Sequence, residues 1–217
     1  MRYWSLVLFV LFFLLTACED GGADGDGDAD GDVDGDADGD ADGDADGDAD
    51  GDGDSDLPLE LSTTAFADGE PVPELYRCGP PLIPDETGGN VSPPLAWTGG
   101  PAATQSWAVV VRDESAMGLV HWAIYDIPAT RNDLPEDVPP GYEPPEVEGA
   151  HQAEIQGSGY WGYFGPCSGG RGNRYVWTIH ALDVATLPDV DHSTTENDIA
   201  AAVEGLSIDS ASFSGTY

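Results

Sequence analysis

Apolar and polar positions alternate by twos over several short runs, and by a helical period over one. The clearest run is WAVVVRDESAMGLVHWAIYD, from Trp107 to Asp126. Trp107, Val109, Val111 and Asp113 fall on one face of a strand by two-residue alternation. A second strand is expected from about Val120 to Ile127, with His121, Ala123 and Tyr125 on a common face. Asp113 closes the first strand, His121 opens the second, and a seven-residue loop separates them. Such a hairpin can bring a carboxylate and an imidazole together at one rim of a sheet. It is also the pattern of an ordinary hairpin with a loop aspartate and a core histidine.

Further strands are expected at Leu59–Thr63 and Tyr175–Leu182, between proline pairs at Pro80-Pro81, Pro93-Pro94, Pro139-Pro140 and Pro144-Pro145. Prolines at that density break helices and keep strands short. Only Thr194 to Leu206 reads as helical, with Thr195 as cap and Ile199, Ala202, Val203 and Leu206 as an apolar stripe. The pattern predicts an all-β sandwich with long loops and one late short helix.

The first fifty-six residues do not share this pattern. Arg2 precedes a short apolar run, Ser5 to Leu15, shorter than the roughly 20 residues that cross a bilayer. It ends in Leu15-Thr16-Ala17-Cys18, which resembles a bacterial lipobox, in which the cysteine carries lipid. A plain secretory signal and an uncleaved anchor are the alternatives. Residues 1–18 are thus expected to be a lipoprotein signal peptide, with Cys18 as the lipidation site. Glu19 to Asp56 repeats Asp-Gly and Asp-Ala-Asp-Gly with almost nothing to bury, so it predicts an extended, solvated tether. It lacks the twelfth-position glutamate and flanking helices of an EF-hand, so a defined calcium site is not expected.

Charge narrows the partners. Six basic residues, all arginine, stand against 42 acidic ones, for a net charge of -36. A phosphate backbone would be repelled, which excludes nucleic acid. Nineteen of the acids lie between Glu19 and Asp56, leaving residues 57–217 with a globular composition and enough chain for one core. With Cys18 lipidated, Cys78 and Cys167 remain in an exported domain, as a disulfide or as two separate buried thiols.

The stretch Gly157 to Asp183 runs a glycine and proline loop straight into a strand. Gly157-Ser158-Gly159-Tyr160-Trp161-Gly162 fits G-x-G-x-x-G, but with no strand before it and no helix after it the match is fortuitous. Asn173, Tyr175 and Trp177 share one strand face, and Arg174 and Val176 the other. Backbone N–H groups of such a loop can cradle an anion, with a tyrosine hydroxyl as a further donor.

Asn90-Val91-Ser92-Pro93-Pro94-Leu95-Ala96-Trp97 resembles the N-[IV]-S-P-P-L-x-W signature of the phosphatidylethanolamine-binding protein family, bacterial branch. Val111-Arg112-Asp113, His121-Trp122, Ile127-Pro128-Ala129, Gly162-Tyr163-Phe164-Gly165-Pro166-Cys167 and Arg174-Tyr175-Val176-Trp177 follow in the family's order, as do Ala181-Leu182-Asp183 and Gly215-Thr216-Tyr217. The resemblance covers about Leu59 to Tyr217. It implies an antiparallel β-sandwich with a small rim pocket for phosphate or phosphorylated head groups. It further implies that Asp113, His121, Gly165, Asn173 and Tyr175 line that pocket. His121 and Tyr175 would donate to phosphate oxygens, the loop after Gly165 would supply N–H groups, and Asp113 would fix the imidazole tautomer or meet an amine.

This chain departs from the family at several places. Asp113-Glu114-Ser115-Ala116-Met117 stands where the family has D-P-D-A-P, which predicts a less rigid loop. Asn173 replaces a histidine and cannot become cationic. Val120 replaces an aromatic residue, and Ser168-Gly169 replaces a Pro-Pro pair. These changes predict weaker anion affinity. No G-x-S-x-G elbow, H-E-x-x-H motif or metal-ligand spacing occurs, and His151, His180 and His192 are scattered. The domain is therefore expected to be no enzyme and to need no cofactor or metal. Its expected partners are a small phosphorylated or zwitterionic ligand and, through lipid alone, a membrane. Because relatives include inhibitors of kinases and proteases, an exported protein partner is the second reading.

Overall fold

A computed structural model describes residues 57–79 and 90–217; Cys18, the signal segment and the acidic repeat lie outside the described residues. The elements are β1 (Glu60–Ser62), β2 (Leu95–Thr98), β3 (Ser106–Asp113), β4 (Leu119–Pro128), β5 (Asp133–Leu134), β6 (His151–Gln152), β7 (Arg174–Leu182), α1 (Glu196–Leu206) and β8 (Ser207–Thr216). They form two antiparallel sheets, a three-stranded one in the order β1-β2-β5 and a five-stranded one in the order β6-β4-β3-β7-β8. This is the expected β-sandwich with one late helix.

The sandwich core lies between the sheets. Leu95, Trp97 and Leu134 of the small sheet meet Val109, Val111, Trp122, Ile124, Trp177 and Ile179 of the large one. Helix α1 covers the opposite face of the large sheet, where Ile199, Ala200 and Val203 pack with Ala108, Val110, Val120, Ala123 and Tyr125. The large sheet is therefore buried on both faces, and β3 and β4 are buried at nearly every position instead of alternating. Thr195 caps the helix by accepting from the Asp198 N–H at 3.2 Å, as its sequence predicts. The buried stripe takes Ala200 where the helical period pointed to Ala202 and Leu206, which are half-buried.

Four strands, β2, β5, β6 and β8, are additional to the sequence expectation. β2 lies inside the Asn90–Trp97 signature, and β8 pairs with β7 over nine positions from Ser207 to Thr216. The first strand runs over Glu60–Ser62 where Leu59–Thr63 was expected, a difference of one residue at each end.

Strand β4 carries two bulges, and each changes where a polar side chain points. Across β3, Val111 pairs with Trp122 but Arg112 pairs with Val120, so His121 is an extra residue. Trp107 pairs with Ile127 and Val109 with Ile124, which inserts a second extra residue at Tyr125-Asp126, with Asp126 at φ 57°. A bulge bends its strand and re-aims the inserted side chain. His121 consequently does not share a face with Ala123 and Tyr125, contrary to the alternation. Those two pack under the helix, whereas the His121 ring lies 5.0 Å from the Tyr175 ring on the sandwich side.

His180, on the helix-covered side of β7, is 7 % exposed, and its Nδ1 lies 3.0 Å from Ser207 Oγ. Burial pushes its pKa down to about 4, with Arg112 acting in the same direction and Glu204 against it. The unfolded chain binds this proton near pH 6.5 and the folded chain near pH 4. Stability contributed by the neutral ring is thus complete above about pH 6.5 and is lost as pH falls towards 4, by up to about 3 kcal/mol. His180→Asn should flatten the fall in melting temperature over that window, as read by thermal melts at stepped pH. Equal slopes for variant and wild type would refute this.

Candidate functional site

The residues singled out at the two strand ends do converge. Asp113, the last residue of β3, pairs directly across the sheet with Tyr175 of β7. The bulge brings His121 against the same tyrosine edge-on, and the Phe164 ring stacks on the imidazole at 5.1 Å and 14°. Asn173 precedes β7 and donates from Nδ2 to Asp113 Oδ2 at 2.7 Å. Gly165 and Cys167 lie in the loop that runs past these side chains. His121, Asp113 and Tyr175 are all buried. His192, by contrast, lies elsewhere, its ring 6.2 Å from that of Tyr142.

The commitments of these groups differ from the expectation. His121 Nδ1 faces the carbonyl oxygens of Phe164 at 3.0 Å and Gly165 at 3.3 Å. A carbonyl only accepts, so Nδ1 carries the proton and the neutral ring presents Nε2 as an acceptor. The tautomer is therefore set by the loop carbonyls and not by Asp113. Burial lowers the His121 pKa, opposed by those two carbonyls and by the Asp113 charge.

Asp113 instead organises its own loop. Its Oδ1 accepts from the backbone N–H groups of Ser115 at 2.9 Å and Ala116 at 3.1 Å, capping a single 3₁₀ turn over Glu114–Ala116. The Ser115 hydroxyl accepts from the Arg174 N–H at 3.0 Å, and Arg174 pairs with Glu114. The segment is thus a capped turn tied to β7 without either of the family's prolines.

Two backbone donors of the loop are also committed. The Gly165 N–H donates to Asn90 Oδ1 at 2.7 Å, and the Cys167 N–H donates to the Tyr175 hydroxyl at 3.0 Å. Of the loop after Gly165, the Cys167 N–H is thus held within the protein. Burial raises the Tyr175 pKa to about 12, the Cys167 N–H opposing and the Asp113 charge adding to the rise. The tyrosine is thus a neutral hydroxyl throughout the physiological range.

Two residues that the sequence reading leaves out of the site border it. Asn90 opens the signature motif, and its side chain holds Gly165; Ser168 follows Cys167. Asn90 is 4 % and Ser168 8 % exposed, and Asn90 Nδ2 has no hydrogen-bond partner. The signature itself flags Asn90. For Ser168 the only signal is that a hydroxyl stands where the family has proline.

The loop is fixed from below. Cys78 and Cys167 form a disulfide with Cα atoms 5.3 Å apart, which resolves the two alternatives left by the sequence. The Cys78 N–H donates to the Pro166 carbonyl at 3.0 Å, and the Tyr163 hydroxyl donates to the Tyr76 carbonyl at 2.9 Å. No cluster of three metal-ligating side chains occurs among the described residues, and none of their helices is long and apolar enough to cross a membrane.

With this geometry in view, the chain was compared with known proteins. The sequence profile of the phosphatidylethanolamine-binding protein family matches residues 62–217. A UPF0098 protein of Methanothermobacter thermautotrophicus is 34% identical over 164 residues, covering 73% of this chain and 98% of its own. LppC of Mycobacterium tuberculosis, which is named as a lipoprotein, is 34% identical over 132 residues, covering 59% of this chain and 57% of its own. Among solved structures, Escherichia coli YbcL, described as a new member of the mammalian PEBP family, aligns with a TM-score of 0.63 at 27% identity. That alignment covers 74% of this chain and 98% of YbcL.

Gly165 matters here through its missing side chain. A Cβ at this position would lie 2.6 Å from the Arg77 carbonyl carbon and from the Tyr76 carbonyl oxygen, and 2.7 Å from the Cys78 nitrogen. These are backbone atoms in a segment anchored by the disulfide and cannot yield as a flexible side chain would. Gly165→Ala should cost about 1–3 kcal/mol, the usual range for overpacking, measured by chemical denaturation with the disulfide intact. An unchanged midpoint would show that the two segments are not held in contact.

Proposed function

The chain belongs to the phosphatidylethanolamine-binding protein family, and from that premise we propose that its folded domain binds a small phosphorylated or zwitterionic ligand without transforming it. The observation that carries this reading is the convergence of His121, Tyr175 and Asp113 at one end of the large sheet. An imidazole with its Nε2 left over and a carboxylate beside it form a mixed-charge site. Such a site suits a compact polar ligand that brings both an oxyanion and a proton. The non-enzymatic reading is supported by the surroundings of the histidines. His121 is tied to backbone carbonyls, and the serine beside His180 donates to the Asp209 carbonyl at 2.9 Å. No activated nucleophile of the usual kind is assembled at either place.

We further propose that the domain is exported and lipid-anchored through Cys18, with residues 19–56 as the solvated tether and residues 57–217 as the binding domain. The lipobox-like Leu15-Thr16-Ala17-Cys18 supports this reading, as do the disulfide, which suits an oxidising compartment, and the similarity to LppC. Cys18→Ser should move the protein from the membrane fraction to the soluble exported fraction, as read by fractionation and immunoblot. Retention of the variant in the membrane would instead favour an uncleaved anchor.

The ligand reading makes a signed prediction. Burial holds the His121 pKa below its ordinary value, so near neutral pH the free site contains the uncharged ring. To donate from Nε2 to an anion the ring must gain a proton, and the bound anion raises its pKa. Affinity for phosphorylethanolamine should therefore rise as pH falls and weaken as pH climbs through the bound-state pKa. With Asn173 uncharged, the dependence should follow one proton. His121→Ala should weaken binding by about 1.5–3 kcal/mol and remove the pH dependence, and His192→Ala should do neither. Calorimetry from pH 5 to 9 tests this. Binding that is absent at millimolar ligand, or unaltered in His121→Ala, would overturn it.

A further inference from the structure

The histidine on the helix side of β7 has a ring edge that the fold does not use. His180 is 7 % exposed, and with Val110 and Val176 it lines a cavity of about 210 Å³. Arg112, Glu114, Thr178 and Glu204 complete the lining. The Ser207 hydroxyl donates to the Asp209 carbonyl at 2.9 Å, so its oxygen accepts from His180 Nδ1 at 3.0 Å. Burial keeps the ring neutral, and Nε2 therefore holds a bare lone pair. Among the described residues Nε2 makes no hydrogen bond, Nδ1 alone being engaged.

The charged groups of the cavity have spent their donors and kept acceptors. Arg112 donates from Nε and Nη2 to Glu204 Oε1 at 2.9 and 2.7 Å, and from Nη1 to the Gly118 carbonyl at 2.8 Å. Both bonds to Glu204 fall on one oxygen, which leaves its Oε2 over. Glu114 is held at one oxygen by Arg174. Glu204 also lies in the last turn of α1, which contains no basic residue and where the helix end adds partial negative charge. An incoming group thus meets an imidazole nitrogen and carboxylate oxygens against two valine walls. An oxyanion would be repelled there, and an alcohol would turn lone pairs towards the carboxylates. An ammonium brings three N–H donors and no lone pair.

We propose that this cavity is a second binding site, for a small primary amine in its ammonium form, which donates to His180 Nε2 and lays its alkyl chain on Val110 and Val176. Val110 belongs to the apolar cluster under the helix, whereas Val111 and Trp177 face the sandwich core. The amine site is thus on the other face of the sheet from His121, and it does not depend on the phosphate reading.

The test is calorimetry of the full chain at neutral pH, with propylamine as probe and tetramethylammonium as control. The two carry the same charge, but the control has no N–H to donate. The acidic repeat is present in every sample, so ion condensation on it is common to all. Wild type should bind one propylamine saturably and the control about tenfold or more weakly, the worth of a hydrogen bond to a charged group. His180→Asn, which keeps an amide near the place of Nδ1, should show a similar loss. His180→Gln, which returns an amide oxygen near the place of Nε2, should recover part of it. Thr178→Phe should block the site by filling it, with the His180 ring untouched. In wild type the Nε2 nitrogen resonance should move as propylamine saturates. Equal binding of the control, wild-type affinity in His180→Asn, or no binding at tens of millimolar would each overturn the proposal. So would a stationary Nε2 resonance, a result that needs no variant to fold.

Discussion

The extra residue in β4 is the constraint on which the site depends. In an unbroken strand, His121 would lie on the face of Ala123 and Tyr125, beneath the helix and away from Asp113. By pairing Val111 with Trp122 and Arg112 with Val120, the strand leaves His121 unpaired across β3 and turns its ring towards Tyr175. The Phe164 N–H then donates to the His121 carbonyl at 2.9 Å, while the Phe164 carbonyl faces the imidazole. The bulge and the glycine-proline loop hold each other in place. The tautomer follows from that contact, and the chemistry of the free nitrogen follows from the tautomer.

Much of the fold was legible because it is local. The strands around Val109, Ile124 and Ile179 announce themselves by dense β-branched residues, and α1 by its Thr195 cap. Strand β8 was not legible. Ser207–Thr216 is rich in serine, and its first half is partly exposed, so its hydrophobic pattern is faint. It is a strand because β7 offers it a long edge, a tertiary cause that propensity does not carry. The helical stripe slipped to Ala200 for the same kind of reason, since the sheet beneath decides which turn is covered.

The site was legible as a set of residues and illegible as a set of bonds. Asp113, His121, Asn173 and Tyr175 do meet, but a sequence cannot say which lone pair faces which N–H. The expected partnership of Asp113 with the imidazole is replaced by a turn cap and a grip on Asn173. The Gly165 N–H is held by Asn90. Asn90, which opens the signature, and Ser168, which carries no motif weight, are buried at the same place. Alternation failed at His121 because an inserted residue leaves no mark in composition. The disulfide differs again: the count of cysteines narrowed it to one pair, and only the approach of the two chain segments decided it.

The outer edge of β8 has a consequence beyond the site. Gly69 and Val72 donate from their backbone nitrogens to the Ser214 and Thr216 carbonyls, and the Asp68 carboxylate accepts from the Ser214 N–H and hydroxyl. The segment that follows β1 is thus sutured to a strand nearly 150 residues later. Closure over such a span is slow and cannot begin before its far end exists. While the chain is being synthesised, the sheet has no β8 to complete it and its early segments have no edge to join. The same stitching that seals the finished domain therefore keeps the nascent one open until β8 has been made.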